Sequence, residues 1–233
     1  MVFSSLIFLY GFFSLSLLAY GLCRGQRAQN TVLLIVSLIF YAWGEPKYVL
    51  LLMFMALVSW FCALKTEGAA EPGPRKLWVA GAAVIDIALI GWFKYAGFLF
   101  SFLGPVPPLI QKIVLPIGIS FYTFQTMSYT IDLYKREVAV EKNYFYYLTY
   151  VSMFPQLIAG PIVRFSTVNE ELHARAIRFD GFVDGGLRFL QGLFKKVLLA
   201  NTIGAVWELI KSSAFTMGPA AASADASAQD IVT

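Results

Sequence analysis

The sequence predicts an all-α fold: a polytopic transmembrane helical bundle with re-entrant or broken helices and an amphipathic interfacial helix. Composition is the first reason. Of 233 residues, 58% are hydrophobic, 16% aromatic and only 14% charged, against roughly 25% charged and about 45–50% apolar in ordinary soluble domains. The second is distribution: the apolar excess, with a mean hydropathy of +0.68, runs along almost the whole chain and is punctuated by short charged groups. The third is that Pro and Gly interrupt two of the apolar runs, so those runs cannot be plain helices. Together these exclude a soluble enzyme, a disordered tail, a secreted disulfide scaffold and a conventional nucleic-acid binder. The formal net charge of +4 and pI near 9.0 do not point to nucleic acid, because Lys and Arg collect between apolar runs, where they orient membrane helices. The partner this composition calls for is the lipid bilayer.

Residues 1–23 carry no charge and are long enough to cross a core of about 30 Å. They lack the basic start and small-residue exit of a signal peptide, and Leu22 is too large for a lipoprotein cleavage site before Cys23. Further spans are expected at 28–44, 48–64 and 77–93. The link Glu45-Pro46-Lys47 makes the second and third an antiparallel hairpin. Residues 65–76, with Glu71-Pro72-Gly73-Pro74 inside, read as a solvated loop. After Lys94, residues 95–103 run into Gly104-Pro105-Val106-Pro107-Pro108 and read as a half-span or interfacial piece. Residues 113–131 cross again, with Pro116-Ile117-Gly118 loosening the first turn.

The basic loops set the orientation. Arg24 and Arg27 share a side with Lys65, Arg75 and Lys76, while Lys47 stands alone on the other. The N-terminus is therefore expected outside and the loops after helices one and three in the cytoplasm. Lys135, Arg136 and Lys142 join the cytoplasmic side if residues 95–109 dip in and return. Residues 143–163 are uncharged but contain Pro155 and then Ala159-Gly160-Pro161. A plain span there would put Arg164, Arg175, Arg178, Arg188, Lys195 and Lys196 on the wrong face. A re-entrant segment that turns back removes the conflict, and irregular backbone at membrane depth requires protein or a watery cavity around it. Residues 154–165 are thus the first candidate for a functional interior.

Residues 187–200 read as an amphipathic interfacial helix: Leu187, Leu190, Leu193, Phe194, Val197 and Leu198 face one way, Asp184, Arg188, Gln191 and Lys195 the other. Arg188, Lys195 and Lys196 are its interfacial basic residues. From Ser212 the chain turns small and polar. The expected division is 1–211 as a transmembrane domain and 212–233 as a polar loop at which the chain is cut short. No internal repeat is visible.

Several polar residues lie at membrane depth. Asp86, midway along 77–93, faces either a polar site or a structural hydrogen bond from a neighbouring helix. Tyr122, Gln125, Tyr129 and Asp132 recur at offsets of three, seven and ten and share a helix face, as the lining of a substrate path or as interhelical glue. Gln156 and Arg164 bracket the Pro/Gly break, where a cation and freed N–H groups suit an acyl or phosphate-bearing donor. The plainer alternative is a kink with Arg164 snorkelling to headgroups. His173, in a charged stretch, reads as a surface histidine rather than a base. Cys23 and Cys62 are expected as buried thiols, and no metal-ligand spacing, Walker loop or GxSxG occurs.

Leu115-Pro-Ile-Gly-Ile-Ser-Phe-Tyr-Thr-Phe124, the following Tyr129-x-x-Asp132-x-Tyr134, and Phe154-Pro-Gln-Leu-Ile-Ala-Gly-Pro-Ile-Val-Arg-Phe165 resemble the membrane-bound O-acyltransferase family, in its bacterial alginate O-acetyltransferase branch. Met1-Val-Phe-Ser-Ser5, Phe40-Tyr-Ala-Trp43, Phe93-Lys-Tyr95 and Arg188-Phe-x-x-Gly192-x-x-Lys195-Lys196 fit the same branch. The resemblance covers essentially the whole chain and implies an N-terminal half, since the family's histidine regions and a Tyr-Phe-Asp-Phe-Ser-Gly-like stretch fall C-terminal to it. It further implies no bound cofactor, an acetyl thioester or similar acyl donor as co-substrate, and an exported polysaccharide acceptor such as alginate. Periplasmic polysaccharide-modifying partner proteins and a bacterial inner-membrane location follow in the same way. The chain alone is then expected to be inactive, with no catalytic residue of its own. A non-enzymatic membrane scaffold and a transporter or flippase remain as the competing classes.

Overall fold

The computed structural model of the protein describes residues 5–102, 104, 107–111, 113–157, 161–175 and 178–212. Among these every regular element is a helix, so the all-α class holds. They divide into two compact units, one within 7–175 and one holding residues 5–6 and 178–212, and each is taken by itself.

The first unit opens with α1, Ile7–Leu22, whose first half is wound as a wider π-helix through Phe13. Ser14 Oγ donates to the Leu9 carbonyl, five residues back, at 3.0 Å. Gly25, at φ 101°, turns the chain into α2, Gln26–Gly44. The tight Glu45-Pro46-Lys47 turn leads to α3, Val49–Gly68. Here the expected loop at 65–76 is too long. α3 runs through Lys65 to Gly68, and the next helix begins at Pro72, where the absent proline N–H costs nothing because first-turn N–H groups have no helical acceptor.

That next helix, α4, spans Pro72–Ser101, 30 residues without interruption, or about 45 Å at the usual rise. This corrects the sequence reading of residues 95–103 as a separate half-span. A π-turn at Gly91–Tyr95 carries the chain past Lys94, so the cation is absorbed within one helix instead of ending it. Val49–Gly68 and Pro72–Ser101 are the two helices among the described residues that are long and apolar enough to cross a membrane. Only 11% of the apolar window in α4 is buried within the protein. Leu77, Val84, Ile87, Trp92 and Phe98 are exposed along it. An apolar surface of this extent suits lipid and not water, so the protein is membrane-resident.

After the short α5, Pro108–Gln111, residues 113–116 are irregular and the chain turns at Ile117 and Gly118. Gly118 takes φ 77°, a left-handed conformation open to glycine without a Cβ clash. The expected span at 113–131 therefore starts later, as α6, Ile119–Tyr134. α6 closes on a Schellman turn: Glu137 N–H donates to Asp132 O (2.9 Å) and Arg136 N–H to Leu133 O (3.0 Å), with Arg136 at φ 64°. Asn143 then caps α7, Tyr144–Ser152, its Oδ1 accepting the Phe145 N–H at 2.9 Å. The short α8, Phe154–Leu157, and α9, Phe165–His173, complete the unit.

α6 is the central element, packed on α3, α4 and α7, while α2 lies against α1, α7, α8 and α9. In α3 the buried positions Leu52, Met55, Ala56, Ser59, Cys62, Ala63 and Thr66 form one helical stripe. The small residues Ala56, Ser59 and Ala63 let neighbouring backbones approach, which is how membrane helices gain packing without a hydrophobic drive between them. Cys62 is buried as expected; Cys23 is half-buried. The second unit is described chiefly by one long helix, α10, through residues 179–212, with a π-turn at Lys195–Ala200. No residue of it is buried.

Candidate functional site

Nine of the sixteen residues of α6 are buried, and most of them are polar or aromatic. Tyr122, Gln125, Tyr129 and Asp132, placed on one face by their spacing, are all inside, with exposures of 4% or less. So are Thr123, Thr126 and Thr130. The face reading is thereby widened: a helix enclosed by three others buries several faces, and periodicity alone cannot reveal that.

The partner of Asp86 is Thr126, whose hydroxyl lies 3.0 Å from Asp86 Oδ2 and 2.8 Å from the Thr123 carbonyl. Asp86 is 2% exposed and shares the inner face of α4 with Ala82 and Arg75. Arg75 reaches the Leu133 carbonyl at 3.5 Å, a cation set against the C-terminal end of α6, where the helix dipole favours it. Ser59 and Tyr147 share a hydrogen bond of 3.0 Å, joining α3 to α7.

The broken segment is built around Tyr150. Pro155 has no N–H with which to continue α7, so the helix stops at Ser152 and its last carbonyls need other donors. Gln125 Nε2 (3.0 Å) and Gln156 Nε2 (2.9 Å) both donate to the Tyr150 carbonyl. The Phe154 N–H turns to Ser37 Oγ on α2 at 3.2 Å. The Tyr150 hydroxyl donates to the Val163 carbonyl at 2.8 Å, tying the returning chain to the end of α7. Residues 158–160 of the break lie outside the described residues. Phe165, fully buried, then sets its ring against Tyr129 (4.9 Å) and Tyr150 (5.1 Å). Arg164 stays at the surface, two-thirds exposed, with Glu137 at 3.8 Å.

Glu141 is a residue the sequence reading passed over. It is 6% exposed. Its backbone N–H donates to the Tyr129 hydroxyl (2.9 Å) and its carbonyl accepts the Trp60 indole N–H (2.8 Å). Its carboxylate accepts the Asn143 N–H at 2.7 Å and faces His173 Nε2 at 2.6 Å. His173, expected free on the surface, is instead held half-exposed between Glu141 and the Tyr146 ring. Its position, 32 residues from its acid, gave no local signal.

Few polar atoms in this interior remain open. The Tyr122 hydroxyl and Ser152 Oγ are buried without a partner in hydrogen-bond geometry among the described residues; Tyr41, beside Tyr122, donates to the Ile117 carbonyl at 3.1 Å. The Gln125, Tyr129 and Gln156 side chains already hold backbone in place. Among the described residues no group of three His, Cys, Asp or Glu side chains is arranged to hold a metal ion. Arg188, Lys195 and Lys196 sit exposed on α10 in the second unit.

A helical membrane protein with a broken helix folded back on a polar interior is the class that fold and site define. Over 88% of its length the chain is homologous to proteins described as probable alginate O-acetylases, in agreement with the resemblance that its motifs carry. It is 36% identical over 214 residues to the probable alginate O-acetylase AlgI of Pseudomonas syringae pv. tomato, covering 41% of that protein. To the protein of the same name from Pseudomonas putida it is 37% identical over 214 residues, covering 44% of that protein and 88% of this chain. A peptidoglycan O-acetyltransferase of Helicobacter pylori is 28% identical over an alignment of 241 positions, gaps included, that covers 86% of this chain and 45% of the relative. The chain thus spans less than half the length of the relatives it matches. No family model and no solved structure matches it.

Proposed function

We propose that the chain is the N-terminal part of a multi-pass O-acyltransferase of the bacterial inner membrane, its N-terminus periplasmic. The enzyme moves acetyl groups from a cytoplasmic donor across the membrane to O-acetylate an exported polysaccharide such as alginate. The observation that carries this is the homology to alginate O-acetylases over 88% of the chain. What supports it in the structure is a broken segment tied to the Tyr150 carbonyl and hydroxyl, beside a helix, α6, whose buried residues are mostly polar or aromatic.

In this reading Tyr122, Gln125, Tyr129 and Asp132 line the wall of the substrate path, with Gln125, Tyr129 and Gln156 fixing its backbone. The Tyr122 hydroxyl, beside that of Tyr41, is the group this wall offers to a passing acyl group or glycan. Arg164 meets an anionic acyl donor, while on the second unit, taken by itself, Arg188, Lys195 and Lys196 serve as interfacial basic residues at lipid headgroups. The donor is a co-substrate, an acetyl thioester or similar, and no resident cofactor is needed. Periplasmic polysaccharide-modifying proteins complete the transfer. The chain carries one histidine, His173, held by Glu141 at 2.6 Å; it does not match the position of the family's histidines, and the chain alone is expected to be inactive.

Acetyl transfer to polymannuronate by membranes holding this chain, alone and together with the C-terminal portion of an alginate O-acetylase, tests the proposal. Transfer is expected only from the combination. Turnover by the chain alone refutes the assignment of inactivity, and none from either, with both portions present in the membrane, refutes the acyl-transfer reading.

A further inference from the structure

A groove follows the line where α2 meets α7. Its inner stretch is an apolar slot of ≈ 410 Å³ beside Leu34, Ile35, Phe145 and Thr149. Thr31, Phe145 and Tyr146 belong both to this slot and to a wider opening of ≈ 990 Å³, so the two are one continuous groove. Arg24, Arg27, Asn143 and His173 border that opening. Among the described residues no acid pairs with Arg24 or Arg27. Gly25, at the N-cap of α2, offers no capping side chain, and Gln26, Arg27 and Ala28 of the first turn line the same opening. Helix-end N–H groups and two free guanidinium groups together favour a phosphate. His173 is fixed at the rim by the buried Glu141, so the opening is shaped before any ligand arrives.

We propose that this groove binds an anionic glycerophospholipid, its phosphate at Arg24 and Arg27 and one acyl chain in the slot between α2 and α7. Charge complementarity at the opening selects the anion. The apolar slot continuous with it selects an amphiphile over a soluble phosphate, and basic openings between membrane helices are a recurrent place for acidic headgroups. The proposal rests on membrane residence and not on acyl transfer, so each fails independently of the other.

The test uses the full chain in mild detergent, titrated with short-chain phosphatidylglycerol, phosphatidylcholine and glycerol 3-phosphate, with bound lipid counted by native mass spectrometry. One phosphatidylglycerol is expected to bind at least about ten-fold tighter than phosphatidylcholine, a ratio worth about 1.4 kcal/mol. Glycerol 3-phosphate is expected not to displace it. The double substitution Arg24→Gln/Arg27→Gln is expected to weaken phosphatidylglycerol by about 25-fold, roughly five-fold per cation. Ile35→Trp, at an exposed position, fills the slot and weakens both lipids while leaving the charges in place. Equal binding of the two lipids, or unchanged binding in both variants, overturns the site. Competition by glycerol 3-phosphate on equal terms also overturns it and makes the opening a soluble-phosphate site.

Discussion

The Tyr150 carbonyl gives the sharpest test of how the broken helix is held. Two glutamines from different helices donate to this one oxygen, Gln125 at 3.0 Å and Gln156 at 2.9 Å, because Pro155 leaves the end of α7 short of donors. Gln125→Met or Gln156→Met alone, nearly volume-conserving, leaves the carbonyl with one donor and costs about 1 kcal/mol, the net value of a single hydrogen bond. Both together strand a buried carbonyl away from water, and the cost rises to about 3 kcal/mol or more. The double-mutant cycle should therefore show a coupling of about 1 kcal/mol, the pair costing more than the sum of the singles. Reversible unfolding by denaturing detergent, followed by tryptophan fluorescence, supplies the four free energies. Additive losses within about 0.3 kcal/mol would show that the glutamines do not share this acceptor, and the account of the break would be wrong.

The remaining predictions concern other parts of the same unit. Thr126→Val should destabilise by about 1–3 kcal/mol by stranding Asp86, and adding Asp86→Leu should recover most of that loss in the same assay; no recovery would mean that Asp86 has a further partner. Glu141→Ala should cost about 2 kcal/mol through its two charge-assisted contacts, and hydrogen exchange across 165–173 should accelerate with it. Arg136→Gly should raise stability by about 1 kcal/mol, since a left-handed backbone suits glycine better than arginine; a lower unfolding midpoint would contradict the Schellman assignment. Arg164→Glu in the complete enzyme should leave folding within about 0.5 kcal/mol, as exposed ion pairs contribute little. If Arg164 meets the donor, the same change should raise the donor concentration needed for half-maximal transfer, and an unchanged requirement would remove it from that role.

The sequence by itself determined the class and the breaks. Composition required a membrane protein because a chain with 14% charged residues cannot cover a water-facing surface. Pro155 forced the end of α7, and Pro116 with Gly118 delayed the start of α6, through steric and hydrogen-bonding rules that act within a few residues. The burial of Tyr122, Gln125, Tyr129 and Asp132 was legible from their spacing, that of Thr123, Thr126 and Thr130 was not, and the motifs at 115–134 and 154–165 carried the resemblance that homology bore out.

Tertiary structure alone decided which of these groups meet. Asp86 finds Thr126, 40 residues away, and Tyr129, Trp60 and His173 converge on Glu141 from three separate helices. Lys94 looked like a boundary because a lysine at bilayer depth is costly, yet α4 runs past it through a π-turn. Local pattern reports what each residue would cost if left alone in lipid. Whether that cost is met depends on a neighbour brought by packing, and such long-range pairings leave no periodic trace in a single chain.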